Sequence, residues 1–536
     1  MSTAHVDTFA RDHLPPASQW PEFLFELPGL QFAAQLNCAT ELLDRQVASG
    51  NGERVAIHAP GLRWTYRELQ DRANRIAQVL VHDLGLVPGN RVLLRAPNNP
   101  MLAACWFAVI KAGGIAVASM PLLRAKELSA MLEIGQISHA LCDSGLAHEL
   151  TLAASDSPKL RQIVFFNQTG PGGLEALMAR HGAPFINLAT AADDVGLLCF
   201  TSGTTGVPKA TMHFHRDVMA ACQCWPVHVL RPTPDDVFIG SPSLAFTFGL
   251  GGLLLFPLAV GASTVLLEQA GPAQLVQGIQ DFNATVLFTA PTSYRLMAAH
   301  GDSLRATRLR KCVSAGEALP AATRAQWLAA TGMTLIDGIG ATELLHIFIS
   351  ADEAHARPGA TGLAVPGYRA EVVDGHDQPV AAGQVGQLRV KGPTGCRYLA
   401  DARQTRYVRA GWNYTGDAYS QDADGYFYFH ARTDDMIISA GYNIAGPEVE
   451  AALLQHPAVA DCGVAGVPDA ERGQIVKAWV VLRPGHTADA AMALALQDFV
   501  KLAVAPYKYP RAVDFVAALP RTATGKLQRF RLVELG

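Results

Sequence analysis

The sequence predicts an α/β protein with a large N-terminal part of parallel, helix-covered sheets, a small barrel-like β unit and a small α+β unit at the C-terminal end. Apolar residues make up 49% and charged residues 17% of the 536, a composition typical of a globular chain with ample core material. Strand-like and helix-like segments alternate in two long stretches, as they do in parallel sheets covered by helices. From about residue 362 short, Gly-punctuated segments replace this alternation.

The first alternating stretch runs from residue 54 to about residue 143. RVAIHA indicates a strand, and Thr65 is expected to begin a helix because Glu68 follows three residues later, at the spacing of a capping box. The stretch then continues with strand-like RVLLRAP, helical MLAACWFAVIKAGG, strand-like IAVASMP, helical AKELSAMLEI and strand-like SHALCD.

The second stretch covers about 235–340, where TVLLE, TVLFTA, KCVSAG and TLIDGIG indicate strands that end in turn residues. Because α/β folds bind ligands beyond the carboxyl ends of their strands, we expect the functional site there. The later segments YRAEVVDG, GQLRVKG and GYFYFHAR indicate the antiparallel or barrel-like unit. The final hundred residues, after RTDD, indicate a compact mixture of strands and helices.

Charge and cysteine usage exclude several classes of protein. The formal net charge is −4 and no basic stripe interleaved with aromatic residues is present, which disfavours a nucleic-acid partner. Nine scattered cysteines and a charged N-terminal segment favour a reducing, cytoplasmic location. The uncharged stretch 237–267 is broken by Pro257 and by Gly249, Gly251, Gly252 and Gly261, so two shorter buried elements explain it better than a membrane span.

The strongest chemical signal is TSGTTGVPK, residues 201–209, which follows the strand-like VGLLCF. Small, hydroxyl-bearing and glycine residues allow backbone N–H groups to converge on phosphate oxygens, and a lysine adds a further donor. The segment is not a Walker A loop, because Gly206 is not followed by lysine. A flexible surface loop is the alternative. The candidate phosphate-binding residues are Thr201, Ser202, Gly203, Thr204, Thr205 and Lys209.

Two G-x-G strings are weak evidence for a dinucleotide site. They begin at Gly249 and Gly338, but Leu254 and Glu343 occupy the position of the third glycine. A nicotinamide cofactor is therefore disfavoured.

The segment TSGTTGVPK resembles the phosphate-loop signature of the adenylate-forming superfamily, which includes acyl-CoA synthetases, adenylation domains and luciferases. Further segments resemble this family's motifs in the same order along the chain. The resemblance implies an AMP-forming acid–thiol ligase that uses ATP, Mg²⁺ and coenzyme A, with domains at 1–433 and 434–536, the second of them mobile. The matching segments are SAGEALP (314–320), GIGATE (338–343), YTGD (414–417), ARTDDMIISAGYNIAGPEVE (431–450) and PRTATGK (520–526).

The same resemblance implies roles for single residues. Glu343 matches the Mg²⁺ ligand, and one carboxylate suffices because magnesium completes its shell with phosphate oxygens and water. Thr342 matches a donor to the α-phosphate. Lys526 matches the lysine that bridges the substrate carboxylate and the α-phosphate, where a cation gains strength as negative charge accumulates in the transition state.

The remaining carried-over roles concern the nucleotide and the second domain. Asp417 and Arg432 match the residues that bind the ribose; a turn-capping role is the alternative for Asp417. The changes at Ala210, Ala431 and Ile438, where the family often has Gly, Gly and Lys, remove no catalytic role. The further matches are Gly316, Glu317, Asp337 and Gly338 in the ATP site, Asp434 as the hinge, and Gly441 and Tyr442 in the pantetheine tunnel.

A narrower resemblance concerns the acid. GIGATELLHIF, LAFTFGLGG and GYNIAGPEVE resemble benzoate-CoA and 2-aminobenzoate-CoA ligases, and TMHFHRD slightly favours 2-aminobenzoate. Flat, aromatic and small side chains suit a planar acid, and Ala315 and Gly340 are expected to leave room for its ring. The alternative is ordinary core packing for the two phenylalanines and for the histidine. The implied pocket consists of Phe246, Thr247, Phe248, Ala315, Gly340, His346 and Ile347.

Other functions remain open at this point. A stand-alone adenylation enzyme that loads a carrier protein is the main alternative, followed by a non-catalytic nucleotide-binding protein; a luciferase-like oxygenase has no positive support. The expected partners are an aromatic acid, ATP and coenzyme A, without nucleic acid or membrane, in a monomer or homodimer that serves the catabolism of aromatic compounds.

Overall fold

A computed structural model describes residues 3–182, 184–201, 208–433, 435–439, 442–469, 472–521 and 527–535. Two αβ-layered sheets occupy most of the N-terminal part. Their strands are β1 (Val55–Ala59), β2 (Leu62–Thr65), β3 (Arg91–Arg95), β4 (Ile115–Ser119), β5 (His139–Asp143), β6 (Gln162–Phe166), β7 (Val195–Thr201), β8 (Lys209–Phe214), β9 (Val237–Gly240), β10 (Ser263–Val265), β11 (Val286–Thr289), β12 (Lys311–Ser314), β13 (Leu335–Gly340), β14 (Ile347–Ser350) and β15 (Leu363–Ala364).

The first sheet has the order β6-β5-β3-β4-β7-β8 and the second the order β15-β14-β13-β12-β11-β9-β10-β1-β2. Strands β3 to β7 pair in parallel, as do β1, β10, β9, β11, β12 and β13. Antiparallel strands extend the sheets: β8 in the first, and β2, β14 and β15 in the second. The parallel α/β architecture expected from the two alternating stretches is confirmed.

The later strands form two smaller sheets. One is antiparallel, with the order β16-β17-β19-β18 and β20 beside β19; the other has the order β22-β21-β24-β23 with β25 beside β24. The first of these lies where the short Gly-punctuated segments predicted it. The strands are β16 (Arg369–Val373), β17 (Val385–Lys391), β18 (Val408–Arg409), β19 (Trp412–Gln421), β20 (Phe427–Arg432), β21 (Ile437–Ser439), β22 (Tyr442–Ile444), β23 (Val459–Asp469), β24 (Gly473–Leu482) and β25 (Ala512–Phe515).

Helices cover the sheets and separate them. The α-helices are α1 (Phe9–Asp12), α2 (Tyr66–Gln78), α3 (Pro100–Lys111), α4 (Ala125–Ile134), α5 (Ala147–Ser155), α6 (Leu174–Met178), α7 (His215–Gln223), α8 (Thr247–Leu250), α9 (Phe256–Ala259), α10 (Pro272–Asp281), α11 (Pro291–Met297), α12 (Gly301–Arg305), α13 (Ala321–Thr331), α14 (Gln404–Tyr407), α15 (Gly446–Leu453), α16 (Ala490–Ala503) and α17 (Arg529–Glu534).

Helix α3 shows how the two large sheets share one core. Every residue of α3 is buried, because it packs on β3 and β4 of the first sheet and also on β1 of the second. A helix that is apolar on all sides is typical of such a position. The preceding helix α2 begins at Thr65 with the predicted capping box, in which Thr65 and Glu68 bond each other's backbone N–H groups.

The uncharged stretch 237–267 forms strand β9, helices α8 and α9 joined by a π-helical turn (Gly251–Leu255), and strand β10. The expectation of shorter buried elements is confirmed. In the part of the chain that the structure describes, no helix combines the length and the apolar character needed to cross a bilayer. The C-terminal sheet has its own apolar core, centred on Ile437, Val464, Val476 and Val480.

Candidate functional site

The predicted phosphate loop connects the antiparallel strands β7 and β8 in the first sheet. Thr201 and Lys209 face each other at the end of this hairpin, so the loop emerges from a fixed base. Residues 202–207 lie outside the described residues, and the predicted roles of Ser202, Gly203, Thr204 and Thr205 therefore stay predictions. The Thr201 hydroxyl is buried and has no hydrogen-bond partner among the residues described.

Lys209 joins a compact polar cluster at the start of β8. Its Nζ lies 3.0 Å from Oε1 of Glu343, and it also donates to the hydroxyl of Tyr398. The Tyr398 hydroxyl in turn donates to the same Glu343 oxygen at 2.5 Å. Burial opposes the charged form of Glu343, but Lys209 and Tyr398 outweigh it, so that the pKa of Glu343 is lowered. The carboxylate is thus held ionised and oriented.

Strand pairing brings Tyr398 to this cluster. The segment around Tyr398 runs beside β8, with a bridge between Thr211 and Tyr398 and a 2.9 Å hydrogen bond from the Leu399 N–H to the Ala210 carbonyl. The Lys209 ammonium lies 4.5 Å from the centre of the Tyr398 ring. The cluster therefore combines one cation, one carboxylate and one phenol inside the protein.

Glu343 belongs to a short turn between β13 and β14 (residues 342–345), which we call the catalytic turn after the roles predicted for Thr342 and Glu343. Thr342–Leu344 form one 3₁₀ turn, and Leu345 follows with a φ of 69°. This is an unusual conformation for a residue with a branched side chain. The predicted ligand Glu343 and its neighbour Thr342 are thereby placed at the end of β13, at the strand ends where the sequence predicted the site.

The donor set at the catalytic turn fits Mg²⁺. Glu343 offers a buried carboxylate oxygen. Strand β7 packs against this turn, and its last residue, Thr201, has a buried hydroxyl without a hydrogen-bond partner among the described residues. Magnesium is typically bound by one or two carboxylates together with phosphate oxygens and water. Among the described residues, no three His, Cys, Asp or Glu side chains come together as a metal-binding group.

Two predicted nucleotide segments lie at the ends of β12 and β13. Gly316 has a φ of 90°, which favours glycine there, and Glu317 accepts a 3.0 Å hydrogen bond from Thr292. Asp337 pairs with Ser314 across the two strands. Burial raises the pKa of Asp337 to about 7, although Arg324 opposes this shift. The Cβ of any larger residue at Gly338 would lie 2.8 Å from the Ile347 side chain.

An ionic cluster links this nucleotide segment to the C-terminal sheet. Arg521 lies 3.2 Å from Glu317 and 2.9 Å from Asp461, while Arg295 lies 3.7 Å from the same Asp461. Burial raises the pKa of Glu317, and the nearby Arg521 partly offsets that rise. Arg521 precedes the predicted catalytic Lys526, which lies outside the described residues, as do Asp434 and Gly441.

Asp417 and Arg432, which are both predicted to bind the ribose, contact each other, and their role toward the ribose stays a prediction. Asp417 and Arg432 face each other in the ladder between β19 and β20, and the guanidinium donates to Asp417 at 3.0 Å and to the Thr415 carbonyl at 2.9 Å. Gly416 has a φ of 76°, and an added Cβ would lie 2.8 Å from the Arg432 guanidinium. The positive φ therefore favours glycine at this position, and a larger residue would push against the Arg432 guanidinium.

His346 lies in the predicted acid pocket among aromatic rings. Its ring centre is 4.5 Å from that of Phe256, 5.5 Å from Trp225 and 5.9 Å from Phe248. Neither ring nitrogen makes a hydrogen bond with the described residues. Burial lowers the pKa of His346 to about 3, and the nearby backbone of Phe248 offsets part of that shift. A neutral, unpartnered imidazole in aromatic surroundings suits a planar ligand that carries a polar substituent.

The other predicted pocket residues occupy three neighbouring elements. Phe246 immediately precedes α8 and Thr247 begins it, Ala315 follows β12, and Ile347 begins β14. For Gly340 the structure gives a reason other than the expected room for a ring. An added Cβ there would lie 2.9 Å from the backbone of His346, so glycine permits β13 and β14 to approach closely.

Sequence reasoning missed several residues of the site. Trp225, Phe256 and Tyr398 lie outside the quoted motifs, and no local pattern distinguishes them from core residues. A usable signal was the pair Gly251 and Gly252: a Cβ on the first would lie 2.4 Å from the His346 ring, and one on the second 2.4 Å from the Phe288 ring. Adjacent glycines in a helix indicate such close approach.

Tyr442, predicted for the pantetheine tunnel, is exposed and stacks on Tyr507 with ring centres 4.5 Å apart. This contact lies within the C-terminal sheet and its helices. It does not by itself test the tunnel assignment, which stays a prediction.

The chain is similar to known proteins over most of its length. Residues 43–398 match the family model of AMP-binding enzymes, and residues 448–526 match that of the AMP-binding enzyme C-terminal domain. The benzoate-CoA ligase of Thauera aromatica is 34% identical over 511 residues, which cover 94% of this chain and 97% of that protein.

The fold of the chain is also similar to those of solved CoA ligase structures. An anthranilate CoA ligase in complex with anthranoyl-AMP has a TM-score of 0.89 at 33% identity, covering 95% of this chain and 99% of that one. A benzoate CoA ligase from Burkholderia xenovorans LB400 has a TM-score of 0.85 at 30% identity, covering 92% and 99%.

Proposed function

The chain belongs to the AMP-binding enzyme family and is an AMP-forming aryl-CoA ligase, and from that premise we propose that its acid is benzoate or 2-aminobenzoate. The observation that carries this proposal is His346, a buried neutral imidazole surrounded by Trp225, Phe248 and Phe256 and located three residues beyond Glu343. One short segment thereby serves both the phosphates and the aromatic ring.

The first half-reaction joins the acid to AMP. A carboxylate oxygen of the acid attacks the α-phosphorus of ATP, the bond to the β-phosphate oxygen breaks, and pyrophosphate leaves. The Lys209 ammonium and the Thr342 segment offer donors for the phosphate oxygens, and the Asp417–Arg432 pair offers partners for the ribose hydroxyls. Lys526 is assigned to the developing charge at phosphorus.

Glu343 and Thr201 are the residues that would hold Mg²⁺, which supplies charge neutralisation at the phosphates when it is bound. Lys209 and Glu343 are paired in the structure, so the carboxylate already has a cationic partner. Lys209 can turn toward phosphate oxygens because its side chain retains some solvent exposure, whereas Glu343 is buried.

The second half-reaction transfers the acyl group to coenzyme A. The thiolate sulfur attacks the carbonyl carbon of the aryl-adenylate, the bond to the phosphate oxygen breaks, and AMP leaves. We assign this step to a second arrangement of two domains, 1–433 and 434–536, with Asp434 as hinge and Gly441 and Tyr442 at the pantetheine tunnel. A cytoplasmic location, the oligomeric state and a catabolic role stay predictions from the sequence.

The names of the similar enzymes support both benzoate and 2-aminobenzoate as candidate substrates. Benzoate is in the names of the Thauera and Burkholderia enzymes, and anthranilate, which is 2-aminobenzoate, is in that of the anthranilate CoA ligase. The unpartnered ring nitrogens of His346 favour an acid with an ortho hydrogen-bonding group, because pairing one of them removes the cost of a buried unsatisfied atom. We therefore place 2-aminobenzoate first.

The test is a panel of acids incubated with ATP, Mg²⁺ and coenzyme A, with AMP release as the readout. The panel contains benzoate, 2-aminobenzoate, the hydroxybenzoates, acetate and a medium-chain fatty acid. We expect the highest kcat/KM with 2-aminobenzoate or benzoate, and Glu343→Gln serves as the inactive control. Higher activity with acetate or the fatty acid would contradict the proposal. A carrier protein with phosphopantetheine replaces coenzyme A in a parallel assay, and faster transfer to it would favour the carrier-loading alternative.

A further inference from the structure

We propose that His213 is a positioning residue that fixes the catalytic turn, residues 342–345, from the opposite sheet. This inference rests on the proposed roles of Thr342 and Glu343. It adds a residue that touches neither substrate nor metal and acts through the backbone of the turn.

The contact is a hydrogen bond between two sheets. The Nε2 atom of His213 donates to the carbonyl oxygen of Thr342 at 2.8 Å, because a carbonyl can only accept. His213 lies on β8 and its side chain is fully buried. In sequence the two residues are 129 positions apart. The bond therefore connects the strand that follows the phosphate loop to the turn that carries the metal ligand.

The same strand holds the turn at two points. Lys209 and His213 are four residues apart on β8, and even spacing in a strand places both side chains on one face. Lys209 contacts the Glu343 side chain, and His213 contacts the backbone of Thr342 immediately before it. One face of one strand thus contacts two adjacent residues of the turn.

The turn needs external support because its backbone is strained. Leu345 has a φ of 69° and a ψ of −39°, outside the regions that branched residues normally occupy. Such conformations persist where surrounding contacts enforce them, and they cluster at functional sites. A second contact comes from Thr394, whose hydroxyl donates to the Leu344 carbonyl at 2.7 Å and lies 2.8 Å from the Tyr368 hydroxyl.

A buried ion pair lies behind the His213 ring. Its Nδ1 is 3.7 Å from an oxygen of Asp217, a distance that is electrostatic contact and not a hydrogen bond. The same Asp217 pairs with Arg397, and both side chains are fully buried. Arg397 precedes Tyr398, which donates to Glu343. The buried pair therefore lies beside the Nδ1 edge of the ring, while Nε2 donates to the Thr342 carbonyl.

The competing explanation is that His213 merely fills space in the core. A space-filling histidine would tolerate any replacement of similar volume, whereas a tether requires a donor at the position of Nε2. Asp217 and Arg397 are unsuitable for the test, because removing either leaves a buried unpaired charge that destabilises the whole protein.

The test uses three replacements of His213 and a matched control. His213→Gln retains a donor at similar reach, His213→Asn retains the amide but is too short, and His213→Leu removes the donor. The control is His139→Leu: His139 is also buried, and its Nε2 also contacts a backbone carbonyl, that of Leu84 at 3.1 Å. It lies on β5, which three strands separate from β8 in the first sheet.

Two readouts are measured on each variant. Amide hydrogen exchange of residues 338–348 followed by mass spectrometry reports the turn itself and needs neither substrate nor activity. Pyrophosphate–ATP exchange with the best acid gives kcat and KM. We expect His213→Leu and His213→Asn to exchange faster in this segment and to lose kcat on the order of 10- to 100-fold with little change in KM for the acid. We expect His213→Gln to restore both to within a few-fold, and His139→Leu to change neither.

Equal exchange rates and equal kcat for the Gln and Asn variants would overturn the proposal, since both are polar and only one reaches the carbonyl. A loss in His139→Leu as large as that in His213→Leu would do the same. If the leucine variant does not fold, the Gln and Asn pair still decides. Wild-type protein without pyrophosphate exchange for any carboxylate would refute the proposed function, while hydrogen exchange would still test the tether.

Discussion

Removing one hydroxyl from the Lys209–Glu343–Tyr398 cluster tests the assigned metal ligand. In Tyr398→Phe the ring remains, and with it the 4.5 Å contact between the Lys209 ammonium and the ring centre. The lost group donates to Glu343 at 2.5 Å and accepts from Lys209. Glu343 therefore retains its cation but loses the bond that orients its carboxylate.

The expected magnitude follows from the type of bond. A hydrogen bond to a charged group contributes about 1.5 to 3 kcal/mol, which corresponds to roughly a 10- to 150-fold change in a rate or binding constant. We expect kcat/KM for ATP in pyrophosphate release to fall within this range, and the apparent requirement for Mg²⁺ to rise. Steady-state kinetics at several Mg²⁺ concentrations measures both effects.

Tyr407→Phe is the matched control. Tyr407 lies next to Tyr398, with ring centres 5.8 Å apart, and its ring centre is 5.4 Å from the Lys209 ammonium. Its buried hydroxyl has no hydrogen-bond partner in the described part of the chain, so its removal costs little. If the two phenylalanine variants showed the same kinetics, or if Tyr398→Phe matched the wild type at low Mg²⁺, the orienting role of the Tyr398 hydroxyl would be refuted.

Three further outcomes are expected. Lys526→Ala should abolish adenylate formation yet spare thioester formation from a supplied aryl-adenylate; equal loss of both half-reactions in folded protein contradicts its role. Asp461→Asn, which removes the carboxylate between Arg295 and Arg521, should slow pyrophosphate exchange about 2- to 5-fold, as a partly exposed ion pair contributes up to about 1 kcal/mol; an unchanged rate refutes a link between the two parts of the chain. Burial lowers the pKa of His346 to about 3, whereas the unfolded chain takes up a proton near pH 6.5. The contribution of neutral His346 to the free energy of unfolding should therefore be complete above pH 6.5 and decline as the pH falls toward 3. The melting temperature of His346→Leu should depend less on pH between pH 8 and pH 5 than that of the wild type. Calorimetry measures both, and an equal pH dependence of the two proteins would contradict this expectation.

Local patterns were sufficient to predict the elements of the fold. The strand–helix alternation and the Thr65 capping box depend on residues close in sequence, and both are present in the structure. Asp417 and Arg432, both predicted for the ribose site, lie opposite each other because they belong to adjacent strands of one hairpin. Where a contact is made within a strand pair or a helix turn, the sequence contains most of the information needed.

Contacts between distant segments could not be predicted in the same way. Tyr398 reaches Glu343 because its segment pairs with β8, almost 190 residues earlier in the chain, and no spacing in the sequence encodes that pairing. Trp225 likewise meets His346 through the packing of separate elements. Gly340 is a related case: an added Cβ would lie 2.9 Å from the backbone of His346, a close approach that its sequence neighbours do not reveal, and its place in the acid pocket stays a prediction.

The 342–345 turn depends on contacts with residues that are distant in sequence. The side chains of Thr342 and Glu343 are positioned only if the backbone of their turn is fixed. The backbone angles of Leu345 show that this turn is not in a relaxed conformation. The free energy that holds it must come from side chains elsewhere, here from the strand β8, from Thr394 and from Tyr398. Thr394 and Tyr398 lie outside the quoted motifs, because any donor at the right place serves. They are therefore found from the geometry of the folded chain.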